Sequence, residues 1–78
     1  MAIIYTKHAK EMLVVRDINK QFADRCVAYP DKILIGDNGK KIYLKDFGVN
    51  YLKLVVSEEG KNKVIITVHW LDKKRVKK

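Results

Sequence analysis

At 78 residues the chain has room for one domain, with a core that buries only about 60% of the surface its unfolded form exposes. Apolar residues make up 47% of it and charged residues 33%, a balance too apolar for a disordered chain. Lys and Arg outnumber Asp and Glu by 17 to 9, and the net charge of +8 points to an anionic partner such as nucleic acid, an acidic protein or an anionic membrane. The same charge also serves solubility alone, as in Lys-enriched thermophilic proteins.

Cys26 is the single cysteine, so an internal disulfide is excluded; its place in an apolar helical pattern reads as a small core hydrophobe. No apolar run approaches the roughly 18 residues that span a bilayer. Met1-Ala2-Ile3-Ile4 lacks the charged start and long apolar stretch of a signal peptide, so a cytosolic protein is expected.

In chain order, the first half has helical spacing. Thr6 is a candidate N-cap for a helix whose apolar positions are Ala9, Met12 and Leu13, with Arg16 one turn on. Val14 and Val15 weaken its end, because β-branched side chains lose freedom there. Asp17-Ile18-Asn19 marks a break and restart, with Asn19 as the second N-cap and Ile18 and Ala23 placed for a hydrophobic staple. Phe22, Ala23, Cys26 and Val27 form the expected buried stripe of the second helix. Pro30 disfavours helical geometry at Tyr29 and ends it.

The second half switches to a period of two. Residues 32 to 35 predict a short strand, and Gly36-Asp37-Asn38-Gly39 a turn, since these types tolerate positive φ. Residues 40 to 47 predict a second strand with Ile42 and Leu44 on the core face. Gly48-Val49-Asn50 forms the next turn. Residues 51 to 57 predict a third strand with Leu52, Leu54 and Val56 inward. Glu58 to Asn62 reads as a polar loop whose carboxylates are explained by solvation. Residues 63 to 71 predict a fourth strand with Val64, Ile66, Val68 and Trp70 inward. Short loops between neighbouring strands imply hairpins. The expected fold is therefore α+β: two N-terminal helices packed on a four-stranded antiparallel meander, one domain over residues 1–71, followed by a basic tail over 72–78.

Choosing a core face assigns the opposite one. On this reading the open face carries Lys41, Tyr43 and Lys45, then Tyr51, Lys53 and Val55, then Ile65, Thr67 and His69. Cations for phosphates and aromatic rings for unstacked bases are the parts of an RNA-binding surface. Outward lysines that blunt strand edges, and tyrosines that favour strands, account for the same residues without RNA. His8 falls in the first turn of the first helix, where free N–H groups attract phosphate and an imidazole transfers protons near neutral pH; on the pattern alone a surface or packing histidine is the favoured account of it. Two histidines and one cysteine spread along the chain do not have zinc-ligand spacing. A Gly-rich phosphate loop and a nucleophile elbow are both missing, so neither a metal nor a cofactor is expected.

Tyr5-Thr6-x-His8-Ala9, Arg16-x-Ile18 and Pro30-Asp31-x-Ile33 resemble the opening of a widespread family of small uncharacterised prokaryotic domains, which reads Y/F-T-x-H-A, R-G-I-S and N-P-D. Lys41-Ile42-Tyr43, Leu52-x-Leu54-Val55-Val56 and Val64-Ile65-Ile66-Thr67-Val68-x-Trp70 continue the similarity over residues 3 to 71. That family looks related to the RelE/ParE and BrnT-like toxins. The resemblance implies a RelE-like fold and metal-independent RNA cleavage, in which a ribose 2′-hydroxyl attacks the adjacent phosphate. It would make His8 the general base or acid, Arg16 and Lys45 the phosphate-stabilising cations, and Tyr43, Thr67 and His69 residues that position RNA or assist proton transfer. Lys41, Tyr51 and Lys53 join them as substrate contacts. The family carries Arg where this chain has Met12, Gly where it has Asp17 and Ser where it has Asn19. Two functions follow as expectations: a toxin-like RNA endonuclease, or a non-catalytic module that holds RNA or an acidic antitoxin-like protein.

Overall fold

The structure, a computed structural model, describes residues 2–72. Its elements are β1 (Ile3–Tyr5), α1 (Lys7–Val15), α2 (Lys20–Ala28), β2 (Lys32–Ile35), a 3-10 turn (Asp37–Gly39), β3 (Lys41–Asp46), β4 (Asn50–Glu59) and β5 (Asn62–Asp72). The strands form one sheet in the order β1-β5-β4-β3-β2. β1 runs parallel to β5, with Ile3 opposite Lys63 and Tyr5 opposite Ile65, and the other pairs are antiparallel. The expected four-stranded antiparallel meander is thus corrected to a five-stranded mixed sheet. A three-residue strand has too few positions to show a period, and its partner lies some 60 residues away, so β1 leaves no local signature.

Thr6 joins β1 to α1. Its N–H donates to the Ile65 carbonyl at 3.0 Å, and its hydroxyl accepts from the Ala9 N–H at 3.1 Å. One residue therefore ends the parallel ladder and caps the helix. The end of α1 is a Schellman closure: Ile18 N–H reaches the Leu13 carbonyl at 2.8 Å and Asp17 N–H the Val14 carbonyl at 3.2 Å. Asp17 takes the left-handed position, with φ of 52°. Asn19 caps α2 by accepting from Gln21 N–H at 2.9 Å, and α2 stops at Ala28, one residue before Tyr29 and Pro30. α1 packs on β5 and β1, and α2 on β4 and β3. Ala9, Ala23, Cys26 and Val27 from the helices meet Leu52, Leu54, Val56 and Val68 from the sheet in a single core. Burial pushes the Cys26 thiol up to about 12, so the side chain is an inert core group.

Two features reassign the faces of the sheet. Tyr43 pairs with Leu54 and is buried in the helix-side core, so Lys41 and Lys45 lie on that side too. Ile42 and Leu44, expected on the core face, register on the opposite, helix-free face, where Leu44 is nonetheless buried, as expected, at 2% exposure. The second feature is a bulge: Val55 pairs with Thr67 but Val56 pairs with Ile65, which leaves Ile66 as an extra residue. One inserted residue reverses side-chain parity. Ile65 therefore enters the core and Val64 leaves it, whereas Thr67 and His69 stay on the open face as expected. Glu58, Glu59 and Asn62 are strand residues rather than loop, and Gly60-Lys61 alone turns the β4–β5 hairpin. β5 includes Asp72, and the remaining tail residues 73–78 lie outside the described residues.

Candidate nucleic-acid interface

The expected catalytic trio His8, Arg16 and Lys45 does not converge. α1 begins level with Ile65 of β5, where Thr6 bonds to it, and His8 is exposed in its first turn. Lys45 pairs with Leu52, which pairs with Trp70, five residues further along β5. That spacing is about 16 Å along the strands, with two strand spacings of about 10 Å across them. Lys45 is also occupied: its ammonium donates to the Tyr29 carbonyl at 2.9 Å and closes the end of α2.

Lys41 and Tyr43 belong to a different cluster, around Glu58. The Tyr43 hydroxyl donates to Glu58 Oε2 at 2.5 Å, Lys63 Nζ reaches the same oxygen at 2.6 Å, and Lys41 Nζ lies 3.0 Å from Oε1. The Lys63 hydrogen bond, then those from Tyr43 and Lys41, hold the Glu58 carboxyl down at about 2. Burial first, and then the bond to Glu58, raises the Tyr43 phenol. Glu58 raises the Lys63 ammonium in turn. These lysines neutralise a carboxylate of their own chain. Glu58 is the partner that the sequence reading missed, because a glutamate beside Gly60 looks like solvated turn.

Arg16 takes an unanticipated position. Beyond β1 the outer edge of β5 has no strand partner among the described residues, and Arg16 Nη1 donates to the Val68 carbonyl there at 3.1 Å. The next residue is His69, whose cross-strand neighbour on the open face is Lys53. Burial lowers the His69 pKa below its ordinary value of 6.5, and the positive charges of Lys53 and Arg16 lower it further. Thr67 lies on the same face two residues away, and Tyr51 on it beside Leu71. The structure therefore brings Arg16 to the residue next to His69, whose face also carries Lys53, Thr67 and Tyr51. Nothing in helical spacing foretells this, because Arg16 is a C-cap whose direction depends on where the α1 end meets β5.

The face continues past Thr67 to Val55 and Ile42, where residues 36–40 fold over its end. A cavity of about 350 Å³ lies there, lined by Asp37, Asn38, Lys40, Ile42 and Val55 among others. On the helix side, Phe22 stacks on Phe47 at 4.9 Å, and Trp70 meets Phe47 edge-on at 6.0 Å. Phe22, expected to be buried, remains 39% exposed in that group. Among the described residues no group of three or more His, Cys, Asp or Glu side chains is placed to hold a metal ion, and no helix is long and apolar enough to cross a membrane. Comparison with protein-family models, with curated proteins and with solved structures finds no match to this chain.

Proposed function

We propose that the protein binds single-stranded RNA along the open face of its sheet, with the phosphate backbone crossing the Arg16–Lys53–His69 group. The observation that carries this reading is the convergence of two cations on one histidine, with no ion pair joining Arg16 or Lys53 to a carboxylate among the described residues. Phosphate relieves that repulsion. Thr67 adds a hydroxyl, and the Tyr51 ring, together with the Ile42 and Val55 surface, suits unstacked bases.

A second reading, metal-independent cleavage, is favoured by the lowered pKa of His69. Its imidazole is neutral at neutral pH and able to accept the proton of a ribose 2′-hydroxyl. Attack of that oxygen on phosphorus forms the cyclic phosphate and breaks the bond to the 5′-oxygen, which takes a proton from water. Lys53 and Arg16 would stabilise the charge developing on the phosphate. His69 thus takes the role that the family resemblance gave to His8.

The test is a fluorescence-anisotropy titration with a labelled single-stranded RNA. Binding should weaken with salt with a slope of about −1.4 to −2.1 in log–log form, as expected for two to three phosphate contacts on a single strand. No binding at low salt removes the proposal. Incubation of the RNA with chelator then tests cleavage, which should be lost in His69→Ala and kept in His8→Ala. Binding without cleavage by the wild type leaves RNA binding and removes the second reading.

A further inference from the structure

We propose that β2 pairs with β2 of a second copy of this chain, antiparallel and centred on Leu34, to join two five-stranded sheets edge to edge. β2 is the outer strand of the sheet, opposite the edge formed by β1 and β5. Its side chains are exposed throughout: Ile33 at 49%, Leu34 at 48% and Ile35 at 88%. Protected edges carry charges, bulges or proline. This one carries three large apolar residues in a row behind a single Lys32, in a regular register with β3.

The backbone says which residues face outward. Gly36 N–H donates to the Lys40 carbonyl at 2.8 Å, which makes positions 36 and 40 a hydrogen-bonded pair. Bonded and non-bonded pairs alternate along an antiparallel ladder. Leu34, opposite Ile42, and Lys32, opposite Leu44, therefore turn their peptide groups toward β3. Ile33 and Ile35 turn theirs away from the sheet.

A two-fold axis perpendicular to the sheet is the symmetry that sets two copies of an edge strand antiparallel, and it pairs residues of the same face. The outward groups of Ile33 and Ile35 then have to meet each other or themselves. A centre at Ile33 puts Lys32 opposite Leu34, and a centre at Ile35 puts Leu34 opposite Gly36. A centre at Leu34 sets Ile33 against Ile35 twice, with both N–H···O bonds made in each pair. It sets Leu34 against Leu34 on the open face and Lys32 against Gly36. In this register every exposed apolar residue meets an apolar partner and no lysine meets a lysine.

The occupant must cover both faces of the strand, because Ile33 and Ile35 project on the helix side and Leu34 on the other. A second sheet edge does that. A four-residue strand supplies less than the roughly 800 Å² per partner of a standard interface, so the dimer is weak and concentration-dependent. Two chains of +8 also repel, so salt strengthens the pairing, which is opposite in sign to RNA binding. The axis keeps both helix layers on one side and doubles the open face on the other; only that consequence rests on the proposed RNA reading.

Cysteine trapping tests the pairing without RNA. Leu34 and its copy form a non-bonded pair with Cα atoms about 4.5 Å apart, within disulfide range. Ile35 and its copy are offset by two residues along the strand, about 7 Å, and lie beyond that range. Under mild oxidation, Leu34→Cys should form a cross-linked dimer on a non-reducing gel about tenfold faster than Ile35→Cys, although Ile35 is the more exposed position. Wild type, with Cys26 buried, should not cross-link. In sedimentation, the wild-type average mass should rise with concentration and with salt, and Leu34→Lys should remain monomeric. Equal or faster cross-linking of Ile35→Cys overturns the proposal. So does a wild-type mass that stays monomeric at every concentration, or capture of a foreign strand in place of the second copy.

Discussion

The two faces of the sheet carry the same kinds of residue in opposite electrostatic states. On the helix side, Lys41, Lys63 and Tyr43 surround Glu58, and two positive charges share one carboxylate. On the open side, Lys53 and Arg16 crowd a histidine and depress its basicity. The lesson is that lysines and tyrosines on a strand do not by themselves make an anion site. The position of the nearest carboxylate decides, and here Glu58 occupies the lysines of the helix side.

The largest expected difference between the faces is in stability. Leu54, fully buried under the helices, should lose about 3 kcal/mol on Leu54→Ala, whereas Val55→Ala on the open face should cost about 1 kcal/mol or less, both read from urea denaturation. Similar losses at the two positions would mean that the open face is covered. The next difference is in binding. Lys53→Ala should weaken RNA affinity about tenfold, the value of one charge-assisted hydrogen bond, and Lys41→Ala less than twofold, because Lys41 is held by Glu58. A larger loss in Lys41→Ala would move the RNA to the other face.

The smallest effect is the pH dependence of the Glu58 cluster. Its carboxyl is lowered from 4.5 to about 2, so the folded state binds a proton less readily than the unfolded one. The stabilisation is present above pH 4.5 and is lost as pH falls toward 2. Glu58→Gln should flatten the melting temperature through that window, and an unchanged slope would show that Glu58 is not held by these partners in solution.

Much of the local structure was readable from residue types. Thr6 and Asn19 cap the helices they were expected to cap, Pro30 ends α2, and residues 32 to 35 form β2. Leu52, Leu54 and Val56 are inward because their alternation meets no competing signal. β3 was misread because both of its faces offer apolar bodies: Ile42 and Leu44 on one, the Tyr43 ring and lysine stems on the other. Of the candidate site, Lys53, Thr67 and His69 were legible as one face, whereas their meeting with Arg16 was not.

Sequence alone determined what depends on a few consecutive residues: caps, stops, positive-φ turns and strand periods, all set by local sterics and nearby hydrogen bonds. Tertiary structure decided what depends on register across the sheet. It added β1 through a pairing some 60 residues long, reversed the parity of β5 at Ile66, and turned Tyr43 toward Leu54. A shift of one residue in any pairing exchanges the two faces, and the energy that chooses between them is spread over the whole core rather than held in the strand that moves.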